Sequence, residues 1–194
     1  MLLQCLLGLA AMLLPSILTH KFNLIIPSYV MVLYTVFLYC AIYLGEVRNF
    51  FYLVPKWDLI LHTFSGAMLG ALGFSVINIL NNTERIPVNL SPLFVAVFTF
   101  CFAVSLGALW EIYEFAIDGI FKQNMQKFAY ESGELMAGRE ALADTMWDLI
   151  VDSCGAFVMA SIGFVSLKFK KGWVEKLQLK RKRRGNSCAD GKEN

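Results

Sequence analysis

Long apolar stretches separated by shorter polar connections make up most of this chain. Five of them stand out, at about residues 2–19, 23–44, 59–80, 92–121 and 145–169. Each holds roughly 17 or more mostly apolar residues, the length that crosses a hydrocarbon layer of about 30 Å. A segment inside that layer must satisfy its own backbone hydrogen bonds and is therefore helical. The pattern predicts an all-α fold, a polytopic transmembrane helical bundle of about five spans.

The composition agrees with this class and removes others. Hydrophobic residues make up 57% of the 194 residues and charged residues 16%, against about 45–50% and about 25% in average globular proteins. A soluble domain of this size could not bury so much apolar surface. This excludes a disordered chain, a nucleic-acid-binding domain and a soluble enzyme. We therefore expect the lipid bilayer as a partner and no nucleic acid.

The first stretch has two interpretations, a signal peptide or a retained span. No basic segment precedes it, and its end, Ile17-Leu18-Thr19-His20, is not a small-residue cleavage site. These features favour a retained helix.

The basic residues predict the orientation of the bundle. Ten of the 17 Lys and Arg residues lie between Lys168 and Lys192, and a basic run directly after a span is typical of the cytoplasmic side. We therefore expect residues 1–169 to form the transmembrane domain and 170–194 a disordered cytoplasmic tail. Counting five spans backwards places the connections after the second and fourth spans outside. The second of these, residues 122–144, is long for a turn and predicts a short surface helix or a lid.

Acidic side chains are concentrated at the ends of three spans, in spacings that place each set on one helix face. The sets are Asp58 with His62, then Glu111, Glu114 and Asp118, then Asp144, Asp148 and Asp152. They lie at the start, the end and the start of their spans. Because consecutive spans alternate in direction, all three sets should meet at the same membrane surface, which is the outer one on the orientation above.

So many carboxylates cannot lie close together in a membrane unless they are protonated, paired with Lys or Arg, or neutralised by a bound cation. The nearby basic residues all lie in connections: Arg48, Lys56, Lys122, Lys127 and Arg139. A divalent metal cation held by carboxylate oxygens, with the histidine, is therefore the expected cofactor. The candidate metal ligands are Asp58, His62, Glu111, Glu114, Asp148 and Asp152. The candidate catalytic residues are His62, Glu111 and Asp148.

Simpler roles are open for some of these acids. Asp58 opens a span and could interact with the helix dipole, and Asp144 could cap the N-terminus of the fifth span. Four other acids are expected to be solvated, namely Asp118, Glu131, Glu134 and Glu140. Glycines on the same faces, such as Gly66 and Gly155, predict close helix packing. The cysteines show no zinc-type spacing and are expected to be packing residues.

Three strings of residues resemble a known family. Residues 57–66 (WDLILHTFSG), 110–115 (WEIYEF) and 144–148 (DTMWD) are similar to the YjdF-type family of bacterial inner-membrane proteins, and the resemblance covers roughly residues 45–165. It implies a multi-pass protein of the bacterial cytoplasmic membrane with a cytoplasmic C-terminus. It implies no activity, because that family is functionally uncharacterised.

A fainter similarity is to the VanZ-like family, which is linked to glycopeptide resistance and the cell envelope. Its Asp-x3-His pattern falls on Asp58 and His62, and its Glu-x2-Gln pattern on Glu111 and Glu114. Its Asp-x3-Asn-x2-Gly pattern falls on Asp148, Asp152 and Gly155. This chain departs from that family with Glu114 for Gln and Asp152 for Asn, which makes the site more acidic. The arginine expected before the last Asp is also not at the matching place.

Two main functions follow from these residues. The first is an outward-facing site for a cation or for a phosphorylated lipid or other envelope head group, with metal-assisted hydrolysis or transfer and His62 or a carboxylate as the base. The second is a proton- or metal-cation transporter. The inner halves of the spans are apolar, which disfavours a continuous path through one chain, although an oligomer could supply one. A non-catalytic accessory protein is the third possibility. We favour the outward-facing site.

Overall fold

The chain folds as a bundle of long helices. The computed structural model describes residues 2–81, 90–130, 132–173 and 178–181. The elements are α1 (Leu2–Phe22), β1 (Leu24–Ile25), α2 (Ser28–Leu38), α3 (Phe50–Leu53), α4 (Trp57–Asn81), α5 (Pro92–Phe121), α6 (Arg139–Lys168) and β2 (Lys180–Arg181). A π-helical segment, Tyr39–Val47, continues α2 without a break. The all-α class predicted from the apolar stretches is confirmed.

Four of the described helical stretches are long and apolar enough to cross a membrane, Ser28–Val47, Trp57–Leu80, Pro92–Phe121 and Arg139–Lys168. A shorter apolar segment, Leu6–Phe22, lies in α1. The chain is therefore a multi-spanning membrane protein.

The last span begins earlier than the apolar pattern predicted. Helix α6 starts at Arg139 with Gly138 at its N-cap position, whereas the stretch was expected to start near residue 145. The first turns of α6 are polar, so hydropathy alone places its start too late. Asp144 consequently lies inside the helix, and the prediction that it caps the N-terminus is wrong.

Helices α4, α5 and α6 form the centre of the bundle, and each packs against the other two. A Cβ atom at Gly66 would collide with the backbone carbonyl of Asp152, and one at Gly155 would collide with the backbone carbonyl of Thr63. The backbones of α4 and α6 therefore touch, as the small residues on these faces predicted. This close approach brings the acidic faces of the two helices together.

The half of this core that lies away from the acidic residues is apolar and tightly packed. Phe74 is 1% exposed and occupies the space that a side chain at Gly163 would need. No Asp, Glu, His, Lys or Arg occurs in residues 63–81, 92–110 or 153–167. The polar cluster is thus confined to one end of the three helices.

The start of the tail packs at the opposite end from the acidic residues. Strand β2 pairs with β1 in antiparallel register, and the Leu179 backbone N–H donates to Ser75 Oγ at 3.0 Å. Residues 178–181 are therefore ordered, which differs from the expected disordered tail. Residues 182–194 lie outside the described part of the chain.

Candidate functional site

His62 is the centre of the acidic cluster. Its Nδ1 lies 3.2 Å from Asp152 Oδ2. Its Nε2 lies 3.8 Å from Asp58 Oδ1, 3.9 Å from Glu111 Oε1 and 3.9 Å from Asp148 Oδ2. These carboxylates come from α4, α5 and α6, so the three faces predicted to meet do meet. Five of the six predicted metal ligands surround one another here.

The contacts of Asp152 orient the imidazole ring. Asp152 is 3% exposed, and its Oδ1 accepts a hydrogen bond of 2.8 Å from Ser65 Oγ. A Cβ atom at Gly107 would lie 2.7 Å from Asp152 Oδ2, so the glycine of α5 makes room for the carboxylate. With Nδ1–H donating to Asp152, Nε2 of the neutral ring presents a lone pair to the other three carboxylates. Metal-bound histidines commonly have such a carboxylate partner.

Several oxygens of the carboxylates around this ring have no hydrogen-bond partner among the described residues. Among the described residues, both carboxylate oxygens of Glu111 and Oδ1 of Asp148 are buried and unpartnered. The Thr145 hydroxyl lies near the Glu111 carboxylate but outside hydrogen-bonding geometry, and it accepts from Gln126 Nε2 at 3.1 Å. Buried polar atoms in native proteins nearly always have a partner. These oxygens are therefore the natural positions for a ligand that carries positive charge.

Glu114 lies apart from the ring of His62. It is 8% exposed, and its Oε1 accepts a hydrogen bond of 3.0 Å from Trp110 Nε1. Its assignment as a metal ligand stays a prediction.

Asp118 is buried, so the prediction that it is solvated is wrong. It is 6% exposed, and its two oxygens accept from the backbone N–H groups of Met125 at 2.8 Å and Gln126 at 2.9 Å. Asp118 thus fixes the start of the connection between α5 and α6. Glu134 and Glu140 are exposed as expected, and Glu131 lies outside the described residues.

The connection between α5 and α6, described for residues 122–130 and 132–138, contacts the acidic cluster through Met125, Gln126 and Lys127. Asn124 Nδ2 donates to the Ala129 carbonyl at 2.7 Å, and the Ala129 N–H donates back to Asn124 Oδ1 at 3.0 Å. A β-bridge between Ala129 and Leu135 closes the loop. This is a folded loop placed as a lid, one of the two possibilities that its length suggested.

Lys127 extends from this loop into the cluster. Its ammonium forms an ion pair with Asp58 Oδ2 and lies 4.6 Å from the centroid of the Phe51 ring. Burial lowers the pKa of Lys127, and the nearby carboxylates, Asp144 first, act in the opposite direction. The sequence pointed to Lys127 only as one of five basic residues in connections.

Glu46 is a member of the cluster that sequence reasoning missed. It lies in the π-helical segment and interacts electrostatically with Lys127. The second span ends at the same membrane surface as the three acidic sets. The alternation of span direction could therefore have placed Glu46 in the cluster from the sequence.

The cluster holds far more acid than base. Lys127 and His62 supply at most two positive charges. The carboxylates around them are Glu46, Asp58, Glu111, Glu114, Asp144, Asp148 and Asp152. Among the described residues, Lys127 is the one Lys or Arg that forms an ion pair with this cluster. The rest of the negative charge calls for protons or a further cation.

The comparisons with known proteins agree with the architecture. A family model described as "Predicted membrane protein (DUF2238)" matches residues 1–169, and the chain belongs to this family. YjdF-type proteins are members of it, whereas similarity to the VanZ-like family stays a prediction.

One related protein comes from Thermotoga maritima. The chain is 29% identical over 121 residues to an uncharacterized protein of that organism, which covers 61% of this chain and 53% of the relative. The chain thus spans about half the length of this relative. No solved structure matches.

Proposed function

We propose that this protein binds a divalent cation between Asp58, His62 and Asp148, at one surface of the membrane. One ligand atom from each of these side chains lies within 4.8 Å of the other two. His62 and Asp148 are buried and Asp58 is partly buried. This convergence from α4 and α6 is the observation that carries the proposal.

The distances around His62 Nε2 favour a shared ion over direct hydrogen bonds. The separations of 3.8 and 3.9 Å to three carboxylates exceed the roughly 3.2 Å limit of a good N–H···O hydrogen bond. With metal–ligand distances of about 2.0–2.4 Å, neighbouring ligand atoms around one ion lie about 3–4 Å apart. In the tautomer with its proton on Nδ1, the Nε2 lone pair and the three carboxylate oxygens would repel one another unless a bound cation or a second ring proton lay between them.

The donor set indicates the class of metal. One imidazole nitrogen with carboxylate oxygens suits Mn²⁺, Zn²⁺ or Fe²⁺ better than Ca²⁺, which prefers oxygen alone. The unpartnered oxygens of Glu111 and Asp148 are available as further ligands or as a base. Asp152, which holds the ring from behind, acts through His62 and is a positioning residue.

We further propose that the bound cation holds a phosphorylated lipid or other envelope head group at the outer surface. A divalent cation would neutralise the phosphate and activate water, with the Glu111 carboxylate as the base for hydrolysis or transfer. The bacterial cytoplasmic membrane and the cytoplasmic C-terminus belong to this proposal. They rest on the basic residues that follow the last span.

The packing below the cluster argues against the transporter alternative. The spans hold no Asp, Glu, His, Lys or Arg beyond the cluster until Lys168 on α6. Phe74, Ala103 and Ala156 are buried in the region between. An ion leaving the site inwards would therefore meet closely packed helices whose described residues carry no further charged side chain in this region, and whose buried polar groups are hydroxyls such as those of Ser75 and Thr99.

Metal analysis of the purified protein tests the proposal. We expect about one equivalent of transition metal per chain in the wild type, loss of this metal in Asp148→Asn, and full retention in Glu140→Gln. Glu140 is the matched control because it is an exposed acid at the start of the same helix. No stoichiometric metal in the wild type would overturn the proposal. Cation flux into proteoliposomes that Asp148→Asn abolishes would favour the transporter.

A further inference from the structure

Lys127 carries an inference that rests on the proposed cation site. We propose that its ammonium is a tethered competitor for that site, and that this competition selects divalent over monovalent cations. The loop of residues 122–138 holds the competitor in place until a divalent cation displaces it.

Asp58 is shared between the two cations. Its Oδ1 lies 3.8 Å from His62 Nε2, on the side of the proposed metal, and its Oδ2 forms the ion pair with Lys127. A carboxylate that is neutralised by an ammonium is a poorer metal ligand. The ammonium would also repel a cation bound on the other oxygen of the same group.

The Lys127 ammonium is held between the Asp58 carboxylate and the Phe51 ring. Its Nζ lies 4.6 Å from the centroid of Phe51, within the range of a favourable cation–π contact. The Lys127 side chain is only 17% exposed. The ion pair is therefore poorly screened by salt, unlike one on an open surface.

The loop is constructed to deliver this side chain. Lys127 has a left-handed backbone conformation with φ of 48°, which is unfavourable for a residue that has a side chain. The preceding backbone is held by the two hydrogen bonds to Asp118, and Gln126 is tied to α6 through Thr145. The strain at Lys127 is thus offset by contacts on both helices that border the site.

Charge explains the selectivity. A monovalent ion that replaces the ammonium brings the same charge and must also lose its hydration, so the exchange gains little. A divalent ion loses more hydration, but its Coulomb attraction to the surrounding carboxylates is doubled, and the proposed ligands Asp58, His62 and Asp148 replace part of its hydration shell. Only divalent cations should therefore displace Lys127 at physiological concentrations of K⁺ and Na⁺.

Binding of Mn²⁺ to full-length protein in detergent tests the competition. We expect Lys127→Gln to bind Mn²⁺ about tenfold more tightly than the wild type, because one competing charge is removed. We also expect K⁺ to compete with Mn²⁺ more strongly in Lys127→Gln than in the wild type. The controls are Lys56→Gln and Lys122→Gln, which alter exposed loop lysines that also have positive φ. They should match the wild type in both measurements.

Chemical labelling of lysine amines supplies a second measurement. It uses only the wild-type protein, so it does not require that a variant fold correctly. An acylating reagent read by mass spectrometry should label Lys127 slowly without metal and faster when Mn²⁺ is added. Labelling of Lys122 should stay constant.

The outcomes separate the two proposals. Equal Mn²⁺ affinity in the wild type and Lys127→Gln, or labelling of Lys127 that Mn²⁺ does not change, would overturn the competition and leave the cation site standing. Weaker Mn²⁺ binding in Lys127→Gln would also overturn it. If neither protein binds Mn²⁺, both proposals are wrong.

Discussion

His62 Nδ1 lies 3.2 Å from Asp152 Oδ2, although the two residues are 90 positions apart in the chain. The contact joins α4 to α6 where the two backbones touch, because a Cβ atom at Gly66, about one helical turn beyond His62, would collide with the backbone of Asp152 itself. Helix packing and the orientation of the imidazole are therefore one structural feature. The proposed cation site depends on both.

Asp152→Asn should weaken metal binding without unfolding the protein. The amide has the volume of the carboxylate, but it removes the negative charge that makes His62 a better donor to a metal. Loss of such a partner typically costs 10–100-fold in metal affinity, and a Mn²⁺ titration would measure it. Ser65→Ala removes the hydroxyl that contacts Asp152 Oδ1 and the His62 carbonyl but leaves the carboxylate in place, and it should have a smaller effect. Unchanged affinity in Asp152→Asn would show that Asp152 does not orient His62.

Gly66→Ala should destabilise the bundle and disturb the site together. The added methyl group collides with the Asp152 backbone, and forced overpacking typically costs about 1–3 kcal/mol. We expect a lower melting temperature in detergent and weaker Mn²⁺ binding. Gly119→Ala is the matched control, because a Cβ at Gly119 meets nothing within 4 Å. Equal melting temperatures of Gly66→Ala and the control would contradict the backbone contact.

Glu111→Gln should raise the stability of the metal-free protein while reducing the gain in stability that metal produces. The substitution removes a buried acid whose oxygens have no hydrogen-bond partner among the described residues, and uncompensated buried charge is unfavourable. A bound ion stabilises the folded state by an amount that rises with the logarithm of the ratio of its concentration to its dissociation constant. Melting curves with and without Mn²⁺ would show both effects, with Glu140→Gln as the control. A metal-free Glu111→Gln protein that melts below the wild type would contradict this prediction.

Asp118→Ala should loosen the loop that carries Lys127. It removes both carboxylate acceptors of the Met125 and Gln126 N–H groups, and leaving a buried donor unsatisfied costs about 1–3 kcal/mol. Limited trypsin digestion should then cleave after Lys127 faster than in the wild type. Glu134→Gln, which changes an exposed acid of the same loop, should leave the rate unchanged. An unaltered rate in Asp118→Ala would show that the loop is held by other contacts.

The sequence predicted much of the site because helices are periodic. Spacing placed Asp58, His62, Glu111 and Asp148 on helix faces, and the alternation of spans brought those faces to one surface. The connections between helices have no such periodic spacing, so the positions of their side chains cannot be predicted in this way. Which lysine of the loop reaches the cluster depends on a left-handed residue at 127 and on the hydrogen bonds of Asp118, and neither has a pattern in the sequence.

The pattern of apolar residues also did not predict where α6 starts. Its first turn carries Arg139 and Glu140, so hydropathy assigns these residues to the preceding connection, whereas the structure has Arg139–Lys168 as one continuous helix.

X-ray absorption at the metal edge of Mn²⁺- or Zn²⁺-loaded protein tests the cation site most directly. We expect one imidazole nitrogen together with carboxylate oxygens, at about 2.0–2.2 Å for zinc. We also expect that the imidazole signal disappears in His62→Gln, while His20→Gln, which changes an exposed histidine, keeps it. A spectrum of oxygen ligands alone, or an imidazole signal that survives in His62→Gln, would contradict the account.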